Sequence, residues 1–155
     1  MSTIVAQAGL ARKLVDSLYV EAMVLADEAR AYFEDHGVEA RDKLPPSVRV
    51  GYAVESLKVT TRMMHVIAWL LTWRGEAKGE ITADAARHPD RRLGLTGKSD
   101  RTVVDQLPEG AQKLIAASEE LYKRVSRLEQ DLLNPSEAPQ PSPARSLIGR
   151  LERAF

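Results

Sequence analysis

The fold is decided by residues 48–73, VRVGYAVESLKVTTRMMHVIAWLLTW. Spacing of three and four residues, typical of an α-helix, divides this stretch into three stripes. The first stripe is apolar and comprises Val50, Ala53, Leu57, Thr60, Met64, Ile67 and Leu71; the second is Tyr52, Ser56, Val59, Met63, Val66, Leu70 and Trp73; the third is Glu55, Lys58, Arg62, His65, Trp69, Thr72 and Glu76. We expect the first two stripes to face two partner helices and the third, polar except for Trp69, to face water.

The same spacing predicts a helix before this stretch and another after it. The first begins at Leu10 and ends at His36, with Gly37 as a left-handed cap. Residues 1–9 are weakly patterned and stay unassigned. The third helix opens at Leu107-Pro108 and ends at Asn134-Pro135. The sequence therefore predicts an all-α protein, a three-helix bundle occupying residues 1–133.

Residues 76–101 lack periodicity and contain several glycines and charges, which predicts a long surface loop between helices two and three. A brief helix over Ile81–Arg87, with Thr82 as its N-cap, is expected inside it. The basic residues of this loop alternate with aspartates, so a solvated loop is favoured over a docking site for an acidic partner.

Residues 134–155 are predicted to form a flexible, proline-rich tail that ends in a short amphipathic motif. The apolar side of that motif consists of Leu147, Ile148, Leu151 and Phe155. It could fold back on its own bundle or fit the groove of another protein, and we favour the second because a tether without core contacts has little reason to end in an apolar face.

Charge and composition exclude several classes of function. Lys+Arg and Asp+Glu both number 22, so nucleic acid is not an expected partner. Cysteine is absent, which removes disulfides and thiolate chemistry. The sequence has no apolar run long enough for a membrane span, and we expect the protein not to be exported. We expect a cytoplasmic protein without a membrane partner.

No pattern in the sequence indicates catalysis, a metal or a cofactor. His36, His65 and His88 have no neighbouring ligands at metal-binding spacing. No serine lies in the context of a nucleophile, and no glycine-rich phosphate loop follows a strand. The sequence predicts a protein that is not an enzyme.

Arg62, His65 and Trp69 are predicted to form an exposed face of the bundle, where another protein or a second subunit could bind. Trp69 has two explanations: its indole is buried by a small rotation of the helix, or it anchors a partner. The four apolar tail residues form the second predicted binding site.

Three stretches carry a family resemblance. Leu44-Pro45-Pro46 and the block Tyr52–Leu71 resemble the central helix of the alphaproteobacterial RcdA family. Residues 18–37 and 107–129 resemble its first and third helices. The resemblance implies a homodimeric three-helix bundle with a flexible C-terminal extension. It also implies a non-enzymatic adaptor that delivers cargo proteins, often transcription regulators, to the ClpXP protease.

Two other functions stay open at this point. The first is a helical transcription regulator that binds DNA or a small apolar molecule in a cavity lined by Met63, Met64, Trp69 or Trp73. The second is a plain dimeric structural protein.

Overall fold

The computed structural model describes residues 2–134 and 151, with side chains from residue 8 onward. Its α-helices are α1 (Ser2–Ala31), α2 (Val38–Asp42), α3 (Pro46–Ala77), α4 (Ala83–Ala86), α5 (Arg101–Val104) and α6 (Glu109–Leu133). A π-helical turn, Tyr32–His36, continues α1, and a 3-10 turn spans Pro89–Arg91. No β-strand occurs in this part of the chain.

The long helices α1, α3 and α6 pack against one another in pairs around one core. The predicted all-α class is confirmed. Residues 2–134 contain six α-helices rather than a simple three-helix bundle, because short helices lie in the connections, and only one of these, α4, was expected. The second stripe of α3 supplies the middle of the core, as predicted, with Val59, Val66 and Leu70 completely buried. Helix α6 contributes Ala111, Ile115, Leu121 and Val125, and α1 contributes Val15, Leu18, Ala22 and Leu25.

Helix α1 begins well before the predicted Leu10, and Gly37 does not enter the left-handed region. Its φ is −91°, which any residue can adopt. Glycine is needed for a different reason: a Cβ at Gly37 would lie 2.6 Å from the Tyr52 hydroxyl and 2.7 Å from the Tyr32 ring. Close packing of two tyrosines at the end of α1, rather than backbone conformation, explains this glycine.

The connection between α3 and α6 is more ordered than the predicted surface loop. Thr82 caps α4 by accepting a 3.1 Å hydrogen bond from the Ala85 amide, which confirms the predicted brief helix and its cap. Helix α5 was not predicted; Asp100 caps it by accepting a hydrogen bond from the Thr102 amide. The buried residues of this connection are Ala86, Leu93, Val104 and Leu107. The connection thus covers part of the core.

Prolines lie at the starts of α3 and α6. Pro46 occupies the first turn of α3, where its missing amide costs no hydrogen bond, and Pro108 directly precedes α6. Helix α6 ends at Leu133, just before Asn134, as predicted. None of the helices within residues 2–134 is long and apolar enough to cross a bilayer.

Candidate protein-interaction site

The third stripe of α3, predicted to face water, is largely buried. Glu55 is 1% exposed, and Arg62 and Trp69 are each 2% exposed. Trp69 lies beside Trp73, with ring centroids 6.1 Å apart, so the first of its two explanations is correct. This burial corrects the prediction that Arg62, His65 and Trp69 form an exposed face.

Arg62 binds the connection between α3 and α6. Its Nη2 atom donates to the Gly97 carbonyl at 2.9 Å and to the Ser99 hydroxyl at 2.8 Å. Its Nη1 atom donates to Ser118 on α6 at 3.3 Å. Burial lowers the pKa of Arg62, although Glu119 and Glu55 act in the opposite direction. The hydrogen bonds of this buried guanidinium therefore hold residues 97–99 in place.

Glu55 holds the next part of the same segment. Its Oε1 atom accepts hydrogen bonds from the Asp100 amide and from Lys58 Nζ, both at 3.1 Å. Lys58 also donates to the Lys98 carbonyl at 2.8 Å. Burial acts to raise the pKa of Glu55, but hydrogen bonds from Ser99, Asp100 and Lys58 outweigh it, so this pKa is lowered. The carboxylate is thus kept ionised while buried.

His65 is half-buried beneath the start of this segment. A Cβ at Gly94 would lie 2.4 Å from His65 Nδ1, so the imidazole ring packs directly on the glycine backbone. The Gly94 carbonyl accepts a 2.8 Å hydrogen bond from Tyr122, and the Leu93 amide donates to Glu129 at 2.7 Å. We call residues 93–100 the strap. Its contacts with Arg62 and His65, together with the burial of Trp69 beside Trp73, give all three predicted binding residues a structural role.

The first stripe of α3, predicted to pack inside the bundle, is exposed instead. Val50 is 65% exposed, Leu57 66% and Met64 64%, with Leu71 at 48%. Val54, at 46%, widens the same face. No charged residue interrupts this face between positions 50 and 71, which is about 30 Å of helix at the usual rise per residue. We call it the α3 stripe.

A continuous exposed apolar surface of this kind marks a protein contact more often than a solvated face. The absence of positive charge along it does not suit the phosphates of nucleic acid. The prediction missed this site because an apolar stripe has the same periodicity whether a neighbouring helix or another molecule covers it. The α3 stripe replaces Arg62, His65 and Trp69 as the candidate site on the bundle.

The second predicted site falls mostly outside the described residues. The structure does not describe Leu147, Ile148 and Phe155, nor residues 135–146. Leu151 is described: it is helical and 52% exposed. Within residues 2–134, no group of three or more histidine, aspartate or glutamate side chains is arranged to hold a metal ion.

Two comparisons identify the family. The family model described as "Protein of unknown function (DUF1465)" matches residues 6–155. The crystal structure of RcdA from Caulobacter crescentus CB15 is similar, with a TM-score of 0.64 and 33% sequence identity over 77% of this chain and 90% of that chain. The chain belongs to the RcdA family. No curated protein matches it. The family resemblance inferred from residues 18–37, 52–71 and 107–129 is therefore confirmed.

Proposed function

We propose that this RcdA-family protein is a non-enzymatic protease adaptor that tethers cargo, such as a transcription regulator, to the ClpXP protease in the cytoplasm. Such an adaptor performs no chemistry. It accelerates proteolysis by raising the concentration of cargo near the unfoldase, to about the millimolar range for short flexible links.

The observation that carries this proposal is the α3 stripe, an exposed surface suited to proteins, on a fold similar to RcdA. We infer that a second copy of this chain covers it. An apolar surface without charges is complementary to itself, and two-fold dimers are the commonest way to bury such a surface. The tail residues Leu147, Ile148, Leu151 and Phe155 remain the proposed contact for the protease or cargo.

The test is degradation with purified components. Candidate transcription regulators are incubated with ClpXP from the same organism, with and without this chain, and the loss of each substrate is followed by gel. We expect at least one substrate to be degraded about tenfold faster when the chain is present.

The matched control is the chain truncated after residue 134, which keeps the whole of α6. This variant should accelerate degradation less than the full chain. Equal turnover of every candidate with and without the full chain would refute the adaptor function.

A further inference from the structure

A second feature of the molecule is an open groove between α1 and α6, on the other side of α1 from the Tyr19–Arg74 contact with α3. It has a volume of about 400 Å³. Its apolar lining consists of Val24, Leu25 and Ala117. Val24 is 53% exposed, and Val20, one turn earlier on α1, is 61% exposed. The groove therefore offers apolar area that the bundle itself does not cover.

Acidic side chains border this groove. Glu21, Glu28 and Glu120 line it together with one base, Arg124, which leaves a net charge of −2. Arg124 is occupied by Glu21 through two hydrogen bonds. Glu28 and Glu120 form no hydrogen bond or ion pair with any residue in the described part of the chain. Two carboxylates beside an apolar floor suit a segment that is both apolar and basic.

The C-terminal segment of this chain, RSLIGRLERAF at residues 145–155, has that chemistry. Leu147, Leu151 and Phe155 recur every four residues, which places them on one side of a helix. Arg145, Arg150 and Arg153 against Glu152 give the segment a net charge of +2. Leu151 is helical and half exposed, so it retains apolar area to bury.

The segment is tethered within reach of the groove. Helix α6 ends at Leu133, and Glu120 lies thirteen residues earlier, about 20 Å back along the helix axis. Residues 134–145 could span up to about 40 Å when extended. The connection is long enough for the segment to turn back along α6 and lie between α1 and α6.

We propose that residues 145–155 dock in the α1–α6 groove of their own chain, with Leu147, Leu151 and Phe155 on Val24, Leu25 and Ala117, and the arginines beside Glu28 and Glu120. The tether raises the local concentration of the segment to about the millimolar range, so a weak contact suffices. While docked, the segment is withheld from other proteins. This proposal does not depend on the adaptor function.

Absence of cysteine from the natural sequence makes disulfide trapping a direct test. The full chain carrying Val24→Cys and Leu151→Cys is compared with one carrying Met23→Cys and Leu151→Cys. Met23 is the neighbouring residue and is 45% exposed, but it is not among the residues that line the groove. Disulfide formation is followed by non-reducing gel at low micromolar protein.

We expect the Val24 pair to close within one chain about tenfold faster than the Met23 pair. Adding Glu28→Lys and Glu120→Lys should slow closure of the Val24 pair. Glu39→Lys and Glu80→Lys, at two exposed acids elsewhere, change the net charge equally and should not slow it. Circular dichroism confirms that each variant is folded.

Equal closure rates for the two cysteine pairs would overturn the proposal. Disulfides formed between chains rather than within one would also overturn it, in favour of a second copy in the groove. If Glu28→Lys and Glu120→Lys leave the rate of disulfide formation unchanged, the charge complementarity on which the proposal rests would be refuted.

Discussion

Arg62 and Ser99 are joined by a 2.8 Å hydrogen bond that links the middle of α3 to the strap. The same guanidinium reaches the Gly97 carbonyl and, on α6, the Ser118 hydroxyl. One side chain thus fastens three parts of the chain at a site that is 2% exposed. A buried guanidinium stabilises a fold only while its N–H groups remain hydrogen-bonded, because a buried charge without partners costs free energy.

Replacing Arg62 by methionine should therefore destabilise the protein. The substitution removes the donors to the buried Ser118 hydroxyl and to the part-buried hydrogen bonds with Gly97 and Ser99, at a cost of about 2 kcal/mol. Urea denaturation measures this change. Arg127→Met, an exposed position on α6, is the matched control and should change the free energy of unfolding by less than about 0.5 kcal/mol. Equal effects at the two sites would contradict a fastening role for Arg62.

Replacing Gly94 by alanine should destabilise the protein by about 1–3 kcal/mol, because the added Cβ would lie 2.4 Å from His65 Nδ1. Thermal unfolding gives the size of the effect. Gly97→Ala is the matched control in the same strap, since its Cβ would meet only Lys58 Cε at an ordinary 3.7 Å. The double variant Gly94→Ala/His65→Ala removes the imidazole ring and should recover part of the lost stability. No recovery would show that the added Cβ does not clash with His65.

Glu55 should make stability depend on pH. Its pKa in the folded protein lies below the ordinary 4.5, so the ionised form is favoured by folding. This contribution is fully present above pH 4.5 and is lost as the pH falls through the lowered pKa. The difference in unfolding free energy between the natural protein and Glu55→Gln should thus shrink between about pH 5 and pH 3.

Denaturant titrations across this pH range measure that difference. Glu39→Gln, at an acid whose side chain is 86% exposed, provides the control and should give a nearly constant, small difference. A Glu55→Gln difference that stays constant down to pH 3 would mean that the carboxylate is not held ionised by Lys58 and the Asp100 amide.

Much of the fold is readable from sequence because its signals are local. The three long helices follow from periodicity, and both ends of α6 follow from Pro108 and Asn134, whereas the start of α1 was not predicted. The core stripe of α3 is also correct, since Val59, Val66 and Leu70 lie between two helices that the same spacing predicts.

The faces of α3 beside that core stripe could not be predicted in this way. Arg62 is buried because the Gly97 carbonyl, 35 residues later, accepts its hydrogen bond. Glu55 is buried because the Asp100 amide, 45 residues later, donates to it. Charged residues without such partners face water, and sequence periodicity carries no information about a backbone donor or acceptor in a distant strap. Because of those contacts the third stripe of α3 is buried and the first stripe is exposed, the reverse of the prediction. The candidate site therefore lies on the first stripe.

The α3 stripe itself gives a test of self-association. Leu57 is 66% exposed at the middle of the stripe, and Leu57→Asp places a charge where a second copy would exclude water. Size exclusion with light scattering should give the natural protein a mass of twice the 17.2 kDa of the chain, and the variant the mass of one chain.

Val20→Asp is the matched control for this experiment. Val20 is 61% exposed, apolar and in mid-helix, but it lies on α1 away from the stripe, so the dimer should persist. Because Leu57 makes little contact with its own bundle, the monomeric variant should keep its helical circular dichroism and its resistance to urea. A natural protein that elutes as one chain at all concentrations would assign the stripe to a different protein partner, whereas a dimer that persists in Leu57→Asp would place the dimer contact outside the α3 stripe.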